Sequence, residues 1–457
     1  IKEEGQFRNW AATVQTAPAR VLKPANVLRV QGILQEARGQ KPMPKIRCVG
    51  SGHSWSPLFA DDGAWLIDTS DLKDIIWSAR ENPTQVTIGP GVTTGDLATY
   101  MDSRDRGKWR SHYLSSDIVL DAVTYGGTIN TACHGTGNTQ TLPDYVMSTR
   151  IVKWDGTVVK LIRADDPEGF KVNVLHFGLL GVTVDFTLQL DEDNHAISVT
   201  DSKVRANDLF LGRGQLPAAG GLNPLLELWN TTFGIEIFYF AASSLEITNV
   251  LSHEFEDQDW NTDNDICAVK IFKRTNNLVG KVAKIGSRPA LVALYSKIAA
   301  KAFEPVGEET GEVSYETSLA QAIHWQKYIT GGFPVSDTEV CIKCDPDLTS
   351  AYKAVHAAID ITKKFAENDD SLPLNVAMEM RFTKHSDSPL SPAYGKEDGT
   401  PAALPHWAKW SDAYVADADK KLKEAFKERL PLLQAAAKEF DPNGIFMNDF
   451  FTKLFLP

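Results

Sequence analysis

The stretch Tyr125-Gly126-Gly127-Thr128-Ile129-Asn130-Thr131-Ala132-Cys133-His134-Gly135-Thr136-Gly137 constrains this chain more than any other. It packs four glycines into thirteen residues. Glycine is costly to order and brings no side chain to a core. Its use is to let the backbone come close to another backbone, or to a planar or phosphorylated ligand. A second turn of this kind, Gly50-Ser51-Gly52-His53-Ser54, follows the apolar run Ile46 to Val49. Successive N–H groups in such a turn can point into one concavity, which suits a pyrophosphate. The spacing is not G-x-G-x-x-G opening a helix, so it is not a Rossmann fingerprint. Taken alone, the later segment reads equally as a plain glycine-rich loop, and the earlier one reads first as a tight turn with a surface histidine.

The surrounding pattern is mixed. Val27, Val30, Ile33, Leu34 and Ala37 recur at helical spacing, with Pro24 expected in the first turn. Ile46 to Val49, Trp65 to Ile67, Val86 to Ile88 and Val182 to Leu190 read as strands, and Asp96 to Met101 as a helix. Asp155-Gly156 between two apolar runs predicts a hairpin with a type I′ turn. Beyond the polar break Asp191-Glu192-Asp193-Asn194 the texture changes. Strand-like runs (Gly234 to Phe240, Asp265 to Phe272, Glu339 to Cys344, Asn375 to Thr383) alternate with helical ones (Leu319 to Tyr328, Thr349 to Glu367). A charged helix over Asp412 to Arg429 is expected to stop at Pro431. The fold class is α+β, with domains over 1–190 and 191–430 and a closing segment over 431–457.

A length of 457 residues with 43% hydrophobic residues allows two or three domains and a large core. A net charge of -12 argues against a nucleic-acid partner, which needs a basic face. No apolar run reaches the length that spans a bilayer, and no leader peptide is evident at Ile1. The five cysteines, Cys48, Cys133, Cys267, Cys341 and Cys344, are odd in number and irregular in spacing, so they are no disulfide framework. That usage favours a reducing, intracellular compartment over secretion. Cys341 and Cys344 form a C-x-x-C with no second pair, which reads as two structural thiols; no metal is expected.

Two further segments bear chemistry. Glu379 and Arg381 alternate with Met378, Met380 and Phe382, so carboxylate and guanidinium share one strand face and the apolar residues the other. Such a pair can grip vicinal hydroxyls, or serve as a plain ion pair. His406-Trp407-Ala408-Lys409 places a histidine and a lysine close together.

In this order the segments resemble the sugar-lactone oxidase branch of the vanillyl-alcohol-oxidase flavoprotein superfamily, which includes L-gulonolactone, D-arabinono-1,4-lactone and alditol oxidases. The resemblance rests on V-G-S-G-H-S near residue 50, G-G-T-I-x-T-x-x-H-G-T-G near 130 and G-L-L-G-V-T near 180. It continues in E-x-R-F near 380, P-L-S-P over Pro389 to Pro392, H-W-A-K near 408 and D-P-N-G-I-F near 445. It implies a two-domain fold: an FAD-binding domain completed by the C-terminal tail, and a cap over the flavin ring. It implies an 8α-histidyl bond from His53 to FAD, and FAD contacts at Gly50, Ser51, Gly52, Ser54, Gly127, Thr128, His134, Gly135 and Val182. Glu379, Arg381 and Lys409 become the substrate residues, with His406 beside them and Lys409 as base or alkoxide anchor. The implied reaction oxidises an alcohol of a polyhydroxylated small molecule and passes electrons to oxygen. A lactone dehydrogenase, or an oxidase tailoring a secondary metabolite, uses the same scaffold. Cys133 stands where relatives carry a small residue before the histidine, and is also compatible with a second flavin attachment.

Overall fold

A computed structural model of the chain describes residues 2–3, 5–59, 61–77, 82–104, 111–193, 196–241, 243, 261–275, 312–324, 337–369, 377–395, 403–409 and 417–456. The architecture is α+β, as expected. Strands Arg20–Leu22 and Ile46–Val49 flank Trp65–Asp68, and both run parallel to it. Helix Val27–Gly39 lies between the first two strands in sequence, carrying the chain over so that both can run parallel to the central strand. It buries Val30, Ile33, Leu34 and Ala37 along one stripe. Its N-cap is Asn26, whose side chain accepts from Arg29 N, so Pro24 lies outside the helix rather than in its first turn.

An antiparallel sheet follows in the order Val158–Ile162, Val146–Val152, Val182–Gln189, Gln85–Ile88, Ile75–Trp77. The Asp155-Gly156 hairpin forms, but its turn is not type I′. Lys153 O accepts from Gly156 N, and of the two turn residues Asp155 and Gly156 only Gly156 takes a positive φ, 85°. That is a type I turn closed by a left-handed glycine, which satisfies the strand twist with one glycine instead of two left-handed residues.

The second large sheet is also antiparallel, ordered Glu312–Thr317, Ala196–Arg205, Ile266–Thr275, Gly234–Phe240, Met378–Arg381. One face packs Ile235, Ile237, Tyr239 and Val269 against Tyr352, Val355 and Ile359 of helix Thr349–Asp369. From the other face Ile197, Val199 and Phe272 join the core built by the N-terminal residues. The sheet is therefore covered on both sides, and polar groups on its second face are enclosed.

The C-terminal chain returns to the core built by the N-terminal residues. Ile445 and Phe446 pack with Val30, Ile46 and Val182, and Ile46 N bonds Ile445 O at 2.7 Å. Arg47, 1% exposed, donates to the carbonyls of Phe446, Leu58 and Phe177. Pro431 does not end the preceding helix. That helix is Ala418–Phe426, and Pro431 sits in the first turn of a new one, Leu430–Phe440, where its missing N–H costs nothing. Residues 412–416 and 325–328, expected to be helical, and residue 194 of the polar break fall outside the described residues, as do 375 and 376. No described helix is long and apolar enough to cross a membrane.

Candidate active site

The two glycine turns meet. Ser51 N donates to Thr124 Oγ1 at 3.3 Å, and Thr124 N donates back to Ser51 Oγ at 3.0 Å. Thr124 is the N-cap of helix Tyr125–Asn130, so the first turn docks on the start of the second. A Cβ on Gly50 would lie 1.9 Å from Thr124 Oγ1, and one on Gly135 would lie 2.1 Å from Asp117 O. No side chain fits at either position. Gly127, by contrast, has nothing nearer than 3.8 Å and remains approachable. Thr128 turns its hydroxyl back onto Thr124 O. Val182 spends its side chain in the core, so only its backbone is left for a ligand.

His53 is half-buried, and its ring stacks on Trp10 with centroids 5.2 Å apart and planes 14° apart. Its loop is tied to the distant H-W-A-K segment. Trp55 N bonds Ala408 O at 2.7 Å, and Ser54 Oγ donates to Ser56 O at 3.0 Å and to Ala408 O at 3.3 Å. Trp407, fully buried, anchors the segment by donating from Nε1 to Leu390 O at 2.7 Å, inside the P-L-S-P turn. The next residue, Lys409, is thereby held beside the His53 turn, with its ammonium 5.9 Å from the Trp55 ring centroid.

Lys409 Nζ lies 2.7 Å from Asp337 Oδ2 and 2.6 Å from Glu339 Oε2. The other Glu339 oxygen, Oε1, is 2.6 Å from His134 Nε2, while His134 Nδ1 meets Gly135 O at 2.9 Å. His406 N donates to Glu339 O, and the His406 and His134 rings lie 6.2 Å apart. Glu339 therefore gathers the lysine and the two histidines. Nothing in V-S-D-T-E-V marked it; it sat at the start of a short strand, and only the pairing of Val340–Ile342 with Ala403–Pro405 brings it here. His134, expected as an FAD contact, faces this cluster. Cys341 Sγ is 3.8 Å from His134 Nε2, whereas Cys344 is exposed. His134, Glu339 and Cys341 bring three ligand-type atoms within 4.8 Å of one another, and Lys409 already occupies one oxygen of that set.

The charges of this cluster follow from competition between burial and partners. Burial works against Lys409's charge, but Asp337 and Glu339 outweigh it and hold the lysine above its usual range. Lys409 is thus a fixed ammonium, and the base role expected of it does not suit its surroundings. Burial would raise Glu339, yet Lys409 and His134 hold it well below the usual carboxylate range. Burial would lower His134, and Glu339 overcomes this, so His134 is held well above a free imidazole. His406 is pushed down to about 4, mainly by burial, with Lys409 and His134 adding to the effect against Glu339. His406 is therefore neutral at pH 7. Because its Nδ1 accepts from Ala408 N, its proton is assigned to Nε2.

Glu379 and Arg381 share a face as expected, with Arg381 Nε 2.6 Å from Glu379 Oε1. Met378 and Met380 pack with the opposite core, where Phe382 is buried. Burial would lower Arg381, but Glu379 and Glu236 raise it, with Glu339 contributing. Arg381 in turn opposes the charge on Lys409. Cys133 keeps its thiol protonated, chiefly by burial, and contacts Thr131 Oγ1 at 3.3 Å.

Residues 18–162, which hold both glycine turns, match the family described as an FAD binding domain. The chain therefore carries an FAD-binding domain. A solved structure titled a solvent-stable cholesterol oxidase shares the flavoprotein's fold, with a TM-score of 0.70 at 15% identity over 99% of this chain and 98% of that one. Over 196 residues the flavoprotein is 30% identical to a Mus musculus protein named L-gulonolactone oxidase. That match takes in 43% of this chain and 42% of the relative, less than half of its length. Across 99% of both chains the flavoprotein is 23% identical to a Mycobacterium tuberculosis protein named L-gulono-1,4-lactone dehydrogenase. The residues present fit FAD. Besides the paired glycine turns, the hydroxyls of Ser115 and Ser116 are buried without a protein partner among the described residues. They lie next to Gly135, whose N–H bonds Ser116 O. Unspent buried hydroxyls beside a glycine loop call for an acceptor such as a phosphate or a ring carbonyl.

Proposed function

We propose that this flavoprotein is an oxidase acting on an alcohol group of a sugar lactone of the D-arabinono-1,4-lactone or L-gulono-1,4-lactone type, or on a related polyol. In this reading residues 1–190 and 431–457 hold FAD, residues 191–430 cap it, and His53 carries it through an 8α bond. The single observation that carries the reading is the Lys409–Glu339–His134 cluster, bound to the His53 turn through Ala408 O. FAD, when bound, supplies the acceptor for a hydride from the alcohol carbon, with dioxygen taking the electrons onward to hydrogen peroxide.

The chain's own groups do the rest. Lys409 and Arg381 are two fixed cations, suited to holding negative charge on the substrate oxygen as its proton leaves. His406 offers a neutral Nε2–H to a second oxygen. The Glu379 carboxylate is the proton acceptor at hand, and beside Arg381 it can also grip a vicinal hydroxyl. Four polar or charged groups around one site suit a hydroxyl-rich substrate and leave an apolar one poorly matched. A second reading, a lactone dehydrogenase using another acceptor, is supported by the full-length likeness to the protein of that name.

The test uses purified holoenzyme and a panel of aldonolactones and polyols, with peroxide measured in air and dye reduction measured without oxygen. Peroxide with an aldonolactone supports the oxidase; dye reduction without peroxide supports the dehydrogenase. A panel that leaves the flavin oxidised refutes both. Acid precipitation should leave yellow colour in the pellet, and His53→Ala should release it; colour in the wild-type supernatant refutes the covalent bond.

A further inference from the structure

Asp201, Lys270, Glu236 and Arg381 stand directly opposite one another on four neighbouring strands. Residues opposed in this way lie on one face of a sheet. It is the face from which Ile197, Val199 and Phe272 pack toward the N-terminal core, so the row is enclosed between the two halves of the molecule. Lys270 is 3% exposed and Glu236 1%. Lys270 is ion-paired with Asp201, and Arg381 closes the row at the site itself, paired there with Glu379. The signs alternate from minus to plus twice across the sheet, and only the last charge reaches the substrate side.

Such a row is a poor way to stabilise a sheet. Each buried ion loses in desolvation on the order of what its partners return, and apolar residues of equal volume do as well or better. What the row can do is set where Arg381 points. With Lys270 behind it, Glu236 has a counter-ion already, and Arg381 is left to reach outward to Glu379. Without Lys270, Arg381 is the remaining cation opposite the buried Glu236 carboxylate in this row. It would then be drawn back into the sheet, or Glu236 would take up a proton. The other groups that face Glu236 do not replace the lysine. Across a small cavity that both line lies Asp117, which is engaged with Tyr113, Tyr125 and His324.

We propose that Lys270 is a positioning residue for Arg381, acting through Glu236 to keep the guanidinium directed at the substrate. The proposal rests on the reading of Arg381 as a substrate-side cation.

The experiment compares wild-type, Lys270→Met, Lys270→Arg and Asp201→Asn holoenzymes. The rate of flavin reduction by an active alcohol is followed anaerobically across pH, alongside the infrared carboxylic-acid band. In K270M the reduction rate is expected to fall on the order of tenfold or more, the scale of a misdirected catalytic group. Its deficit should shrink toward low pH, where Glu236 takes up a proton and releases Arg381, and it should gain a protonated-carboxyl band that disappears when Glu236→Gln is added. K270R should recover most of the rate. D201N leaves Lys270 to Glu236 alone and should stay within about twofold of wild type, as a group with no part in aiming Arg381 would. Folded, yellow K270M with wild-type rate, pH profile and infrared spectrum overturns the proposal. So does a D201N loss on the scale expected for K270M, because the row would then be merely structural, and this holds even if K270M fails to fold. If no alcohol reduces the wild-type flavin, the proposed function fails, while the infrared band still tests the Lys270–Glu236 link.

Discussion

Glu339→Gln offers the sharpest check on the site's electrostatics. Glu339 is 21% exposed in its side chain and His134 7%, so the 2.6 Å pair is shielded from water. Removing one partner of a buried pair costs about 3–5 kcal/mol. Lys409 keeps Asp337 and His134 can lose its proton, so we expect the lower end, about 3 kcal/mol at pH 6. The pH dependence is more telling than the size. The folded His134 is held well above 6.5 by Glu339. Its contribution is therefore complete below about pH 6.5, the unfolded value, and drains away as pH rises toward the folded value, by up to about 1.4 kcal/mol per unit. In E339Q the raising effect of Glu339 is gone and burial, the largest influence on His134, is opposed by the Cys341 thiol, so the folded value falls and the descending slope weakens. Urea denaturation of both holoenzymes at several pH values between 6 and 8.5, read by tryptophan fluorescence, measures the two slopes. The gap between wild type and variant should be widest at pH 6 and should narrow with rising pH. Parallel slopes, or a gap that widens with pH, would refute the charge assignment of the His134–Glu339 pair.

Lys409→Met should lower the rate of flavin reduction about a hundredfold or more, the scale of one lost charge-stabilising donor, and leave the FAD content unchanged. Single-turnover kinetics and a spectrum check this, and an unchanged rate would remove Lys409 from the chemistry. Gly50→Ala forces a Cβ against Thr124 Oγ1 and should cost about 1–3 kcal/mol with lower FAD occupancy. Adding Thr124→Ala should recover part of the loss, as followed by the flavin-to-protein absorbance ratio. Arg47→Met leaves three buried carbonyls without a donor and should lower stability by about 3 kcal/mol or more, measured as a drop in the thermal midpoint. Limited proteolysis should then cut first near residues 441–456.

Local order was legible because it depends on near neighbours. The period of Val30, Ile33, Leu34 and Ala37 announces its helix, and the alternation of Glu379 and Arg381 with Met378 and Met380 assigns the two faces of a strand before any fold is known. The glycines of both turns state that something comes close, since nothing else explains so many residues without side chains in a core-forming chain. The exact turn chemistry was less legible. Type I and type I′ hairpins share the Asp-Gly signal, and Pro431 reads the same whether it ends one helix or begins the next.

What only the tertiary structure decided is where charges find their counter-charges. Glu339 and Asp337 lie more than two hundred residues from His134 and about seventy from Lys409, and no short pattern announces a meeting across such separations. Lys409 alone looks like a base waiting to be desolvated; with two carboxylates at hydrogen-bond distance it is a permanent cation. Lys270 and Glu236 look like ordinary strand residues until register sets them opposite one another beneath Arg381. Covalent neighbours dictate backbone form through sterics and hydrophobic period. Ionisation is set by burial and by partners at a few ångströms, quantities that exist only once the chain has folded.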